Sequence, residues 1–163
     1  MDQEKLQALA NHLEIDYFNH NDTYYVGASQ EEYENFEVKE LNSKEDSKIA
    51  FDEWIDDNYS LLEEEITNEY KDYFKYGKEE YLVYTDEEAD SAAYDSVYSI
   101  WEDCYLTEDI QNSLGFLVNY IDLKKATLDS IKIDGRGHTL ASYDGEEYEE
   151  YINSTIYYIY RVN

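Results

Sequence analysis

The sequence predicts an α+β fold, mostly helical with a small antiparallel sheet. Three observations predict it. Apolar residues recur at helical spacing along Phe51 to Phe74 and Ala89 to Cys104. Short β-favouring runs stand at Tyr24–Val26, Tyr81–Tyr84 and Ile156–Val162, and these three are expected to share one sheet. Proline is absent from the 163 residues and no repeat or long linker divides them, so one domain over 1–163 is expected.

In chain order, residues 2–13 read as a short helix with Leu6, Leu9, Ala10 and Leu13 on one face. Glu14 to Phe18 extend, His20-Asn21-Asp22 turn, and Tyr24–Val26 end at Gly27. Ser29 to Leu41 is ambiguous, with Tyr33, Phe36, Val38 and Leu41 fitting a helical turn followed by an edge strand. Asn42 and Ser43 are cap candidates for the longest helix, whose stripe is Phe51, Trp54, Ile55, Tyr59, Leu62, Ile66, Tyr70, Tyr73 and Phe74. Gly77 stops it.

The stretch Tyr81 to Leu106 states the theme of the chain. Its strand meets Thr85, a good N-cap, and Glu88 three residues on completes a T-x-x-E capping box. Ala89, Ala93, Val97, Ile100, Trp101 and Cys104 then form an apolar stripe. Beside it runs an aromatic one, Tyr94, Tyr98, Trp101 and Tyr105, while Asp90, Asp95, Glu102 and Asp103 face outward. Thr107 caps a further helix with Ile110, Leu114, Leu117, Val118 and Ile121 turned inward. Leu123 to Ile133 is helical until D-G-R-G-H, Asp134 to His138, breaks it. Tyr143-Asp144-Gly145 turn, Glu146 to Glu150 form an acidic patch, and Thr155 to Val162 is the clearest strand.

Charge is the dominant signal. Forty acidic residues against twelve basic ones give a formal net charge of −28. Disordered acidic chains lack aromatic residues, whereas this one has 20 tyrosines, so a folded domain is expected. Like-charge repulsion disfavours direct nucleic-acid binding and attraction to anionic membranes. It favours a basic partner, and nucleic-acid-binding proteins carry the commonest strongly basic surfaces. The single cysteine, Cys104, excludes a disulfide framework and a thiolate cluster, and the N-terminus has no apolar signal segment. A cytoplasmic protein is expected.

Phosphate-binding, zinc-protease and nucleophile-elbow motifs are absent, and so is an EF-hand pattern; no cofactor and no metal are expected. Only Asp134 to His138, followed by Asp144 to Glu147, gathers histidine, arginine and carboxylates. Two readings stand there: acid–base chemistry or an ion site, against glycines at positive φ with Arg136 and His138 pinning a loop.

The segments Y-L-V-Y-T-D-E-E-A-D and D-G-R-G-H-T-L-A-S-Y-D-G-E-E, with the ending Y-Y-I-Y-R-V-N, resemble a family of small acidic bacteriophage proteins. The resemblance covers residues 79–93 and 134–163 and brings no catalytic residue. It implies action inside a bacterial host cell. In charge and size alone the chain is similar to phage antirestriction and anti-CRISPR proteins that mimic DNA.

The expected function is therefore non-enzymatic: inhibition of a host nucleic-acid-binding defence protein, a CRISPR nuclease or restriction enzyme, by an acidic DNA mimic in its basic groove. The alternative is a regulatory partner of a basic replication or assembly protein. Three stretches, 49–70, 79–123 and 137–160, contain no lysine or arginine. B-DNA carries about one negative charge per 1.7 Å of axis, so about twenty carboxylates imitate roughly ten base pairs. The candidate partner-binding residues are Asp52, Glu53, Asp56, Asp57, Glu63, Glu64, Asp90, Asp95, Glu102, Asp103, Glu146, Glu147, Glu149 and Glu150. Tyr94, Tyr98 and Tyr105 are candidate aromatic anchors.

Overall fold

The computed structural model describes residues 2–41, 47–70 and 72–163, with the side chains of 37–41, 47–51, 53 and 70 outside the description. The fold is mixed α+β with antiparallel sheets, as the sequence predicts. Where the sequence suggests one domain, the contacts divide the chain into two compact units, 1–78 and 79–163.

In the first unit, α1 (Gln3–His12) starts at Asp2, whose carboxylate accepts from the amides of Glu4 and Lys5. Its buried face is Leu6, Leu9 and Ala10 as expected, and Leu13 lies half-buried beyond the last turn. The strands β1 (Tyr17–His20) and β2 (Thr23–Val26) form a two-residue hairpin. Asn21 and Asp22 supply φ of 51° and 61°, the left-handed pair that matches the strand twist. The segment 29–41 resolves into α2 (Gln30–Leu41), a helix throughout rather than a turn and an edge strand. Asn42 and Ser43 lie outside the described residues.

The long helix expected over Phe51 to Phe74 does not form. The chain makes α3 (Ser47–Asn58), β3 (Ser60–Leu61), the single turn α4 (Leu62–Glu65), and a hairpin of β4 (Ile66–Tyr70) and β5 (Tyr73–Tyr76). A helix through Glu63, Glu64, Glu65 and Glu69 would stack carboxylates at i,i+4 with no cation among them. The sequence from Ile66 also alternates, with Ile66 buried, Thr67 exposed, Asn68 half-buried and Glu69 exposed. β3 pairs with β2, so Tyr24–Val26 belongs to the three-stranded sheet β1-β2-β3 and not to the sheet of the C-terminal strand. The core around this sheet is aromatic. Phe18 stacks on Tyr33 at 4.7 Å and on Tyr25 at 5.6 Å, and meets the edge of Tyr59 at 5.0 Å, with Ile55 buried beside them.

In the second unit, β6 (Glu79–Thr85) runs into α5 (Asp86–Ile100) through the expected capping box: Thr85 Oγ1 accepts from the Glu88 amide, and the Glu88 carboxylate accepts from the Thr85 amide. The strands β7 (Tyr148–Ile152) and β8 (Thr155–Arg161) complete the order β6-β8-β7, with Leu82 opposite Tyr160 and Val83 opposite Ile159. β7 lies where the sequence shows only an acidic patch. The helices α5 and α7 (Leu123–Leu140) pack together, and Ala89, Ala93, Leu140 and Ala141 enclose Tyr160. The D-G-R-G-H break reduces to Gly135 at φ +82°, after which the helix resumes to Leu140. Gly137 is needed for space rather than for φ: a Cβ there would lie 2.5 Å from the Gly145 carbonyl oxygen.

The apolar stripe of α5 does not continue to Cys104. Ala89, Ala93 and Val97 are buried, but Ile100 and Cys104 are exposed. After Ile100 the chain makes a π turn, Trp101–Tyr105, closed by Leu106 N–H donating to the Trp101 carbonyl at 2.8 Å. That wider turn carries one extra residue, but Ile100 ahead of it is already exposed, so the stripe ends because nothing covers it. The next helix, α6 (Glu108–Leu114), and the 3₁₀ turn Gly115–Tyr120 have no buried residue. The expectation that Ile110, Leu117 and Ile121 turn inward is therefore wrong; all three are exposed. No helix among the described residues is long and apolar enough to cross a membrane.

Candidate acidic partner-binding faces

The first candidate set sits around α3 and α4. Asp56, Asp57 and Glu64 are brought together at the rim of a cleft of about 490 Å³, with Tyr25 and Tyr59 in its wall. Asp56 accepts from the Tyr25 hydroxyl at 3.2 Å. Burial and the nearby Asp56 push the Tyr25 phenol above its usual pKa, so it stays a donor. Glu63 is exposed and accepts from Gln3 Nε2 at 2.7 Å. The side chain of Glu53 lies outside the described ones.

Asp52 does not belong to this open face. It is half-buried and lies 2.6 Å from Nε2 of the buried His20, whose Nδ1 is 2.7 Å from the Tyr33 hydroxyl. Nε2 also lies 2.8 Å from Asn21 Nδ2, so that ring nitrogen is shared between the Asp52 carboxylate and the Asn21 amide. Read from the sequence, His20 sits in a turn with no more than a surface or packing role, whereas the structure buries it at the end of β1. Its signal was its alternation with Phe18 along a strand, which turns both inward.

The second set follows α5. Asp95, Glu102 and Asp103 are exposed, and the region contains no lysine or arginine from 79 to 123. Tyr94 and Tyr98 are half-buried and stack at 5.8 Å; Tyr105 is exposed and tilts against Trp101 at 5.1 Å. A hydrogen bond to Glu102, one turn on, raises the Tyr98 pKa and fixes that tyrosine as a donor.

Asp90 and Glu147 are different, because Arg136 claims both. Its Nε and one terminal nitrogen donate to the two oxygens of Glu147 at 2.9 and 3.1 Å. The other terminal nitrogen donates to Asp86 Oδ1 at 2.7 Å and Asp90 Oδ1 at 3.0 Å. The guanidinium also lies over the Tyr158 ring, 4.3 Å from its centroid. Glu147 accepts once more, from the Tyr160 hydroxyl at 2.6 Å. Burial disfavours the Arg136 charge, but the bonds to Glu147 and Asp86 outweigh it and hold the guanidinium firmly protonated. This is a charge-compensated joint, and of the two readings of Asp134 to His138 it realises the pinning role of Arg136. His138 is exposed.

The remaining residues of the acidic patch do not share one face. Glu146 is exposed before β7, and within the strand Glu149 and Glu150 point to opposite sides. Glu149 is exposed, whereas partial burial raises the Glu150 pKa. Among the described residues, no group of three or more histidine, cysteine, aspartate or glutamate side chains is arranged to hold a metal ion. No family model, curated protein or solved structure matches this chain.

Proposed function

We propose that this protein is a non-enzymatic acidic ligand that occupies the nucleic-acid groove of a basic protein. A host defence nuclease is the target class suggested by the likeness, in charge and size alone, to phage proteins that mimic DNA. The observation that carries the reading is the set of carboxylates Asp95, Glu102, Asp103, Glu108 and Asp109, all exposed and in no salt bridge among the described residues. Asp56, Asp57 and Glu64 give the first unit a smaller face of the same character. Such faces attract lysine and arginine side chains that otherwise hold phosphates, and the attraction is long-ranged and salt-dependent. A basic replication or assembly protein is the second reading, favoured by the exposed apolar groups that accompany the carboxylates between Ile100 and Ile121.

The test is capture of partners from bacterial lysate on the immobilised protein. The groove reading predicts nucleic-acid-binding proteins that elute with rising salt and with added duplex DNA. Partners that resist both, or that bind DNA and this protein at once, contradict it.

A further inference from the structure

Between the buried residues Val97 and Thr127 the chain passes through Tyr98 to Ala126 without burying one side chain. The stretch is not polar. Phe116 is 73% exposed, Leu117 51% and Tyr120 80%, and Ile110, Tyr105 and Ile100 are exposed as well. Phe116 and Tyr120 meet edge to face at 6.5 Å, and Leu117 and Tyr120, three apart in a 3₁₀ turn, share one edge. An apolar cluster of this kind, left in water by a folded unit, marks an interaction surface.

The charge around it selects the occupant. Glu102, Asp103, Glu108, Asp109 and Asp122 are all exposed, and the first cations of the stretch, Lys124 and Lys125, come only after them at the start of α7. A second copy would bring the same carboxylates face to face, with a net charge of −28 on each chain. An anionic lipid surface is repelled for the same reason. We propose that residues 98–122 form a docking surface for a cationic amphipathic helix of a partner protein. The helix lays its apolar face on Phe116, Leu117 and Tyr120 and its lysines or arginines against the flanking carboxylates. The inference does not depend on the acidic faces entering a nucleic-acid groove.

The test uses the full chain and two synthetic peptides of about 18 residues. One is an amphipathic leucine–lysine helix, and the other has the same lysines with serine in place of leucine. Fluorescence anisotropy should give the leucine peptide an affinity at least about tenfold higher. The triple substitution Phe116→Ser, Leu117→Ser and Tyr120→Ser should reduce it to that of the serine peptide without lowering the melting temperature. Glu108→Gln with Asp109→Gln should weaken both peptides, a readout that survives if the triple variant unfolds. Equal affinities for the two peptides, or a folded triple variant that retains its preference, would overturn the proposal. So would a concentration-dependent dimer abolished by the triple substitution, which would give the surface to a second copy.

Discussion

Two regions of the second unit carry the same chemistry and use it in opposite ways. Around Arg136, carboxylates from α5 and from the segment before β7 converge on one guanidinium, roofed by Tyr158 and tied to Tyr160. From Tyr98 to Asp122, carboxylates and aromatic rings face water in a run of chain that holds no lysine or arginine. One arginine decides the difference. Where it reaches, acidic residues are part of the architecture; where none reaches, they remain available to a partner. Abundance of carboxylates therefore says little about function, and the presence or absence of an internal counter-charge says more.

The sharpest way to break this comparison is to remove the counter-charge. Arg136→Met leaves Glu147 half-buried beside the Tyr160 hydroxyl with its main partner gone, and should cost about 3 kcal/mol in a denaturant titration. The matching change in the open region, Glu102→Gln, should stay within about 0.5 kcal/mol. If the two variants melt alike, the Arg136 joint is not structural.

A smaller effect probes the backbone that positions the joint. Gly137→Ala pushes a methyl against the Gly145 carbonyl, where backbone cannot yield cheaply, and should destabilise by about 1–3 kcal/mol. Gly77→Ala meets no neighbouring atom and should show only the modest cost of its positive φ.

The smallest effect is a pH signature. Partial burial raises the Glu150 pKa, so folding favours its neutral form. Its contribution is favourable below the unfolded carboxylate pKa and is lost as pH rises through the folded one. Glu150→Gln should therefore raise the melting temperature slightly at pH 7, with the gain vanishing in acid. Glu149→Gln, on the exposed side of the same strand, should not show that pH dependence.

The same contrast explains how much the sequence disclosed. The capping box at Thr85, the strand of Tyr81–Tyr84 and the C-terminal strand were legible, because each is fixed by neighbours in the chain. The turn expected at His20-Asn21-Asp22 was legible only in part: Asn21 and Asp22 make it, but His20 belongs to β1 and the hairpin partner of Tyr24–Val26 was not foreseen. The helix expected over Phe51 to Phe74 failed because its three-four rhythm coincides with an alternating one, and pairing of β4 with β5 resolves the ambiguity. Burial was misjudged at Cys104, Ile110 and Leu117, since a helical stripe shows which side chains share a face but not whether anything covers it. Of the acidic candidates, Asp95, Glu102, Asp103, Asp57 and Glu64 emerged exposed. Asp52 and Asp90 proved engaged with His20 and Arg136, partners 32 and 46 residues away that no local pattern could reveal, whereas Glu147 pairs with Arg136 inside the one segment where the sequence gathers arginine and carboxylates.

The central claim is that the uncompensated carboxylates bind a partner and the compensated ones do not. The direct measurement is competition between this protein and duplex DNA for a captured basic partner, using one charge-reversed set and one neutralised set. Asp95→Lys, Glu102→Lys and Asp103→Lys should weaken binding by several kcal/mol, about a hundredfold or more, because attraction becomes repulsion. Asp86→Asn with Asp90→Asn, at the Arg136 joint, should leave the competition curve nearly unchanged. Binding that ignores the reversed set, or that falls equally in both, would contradict the account.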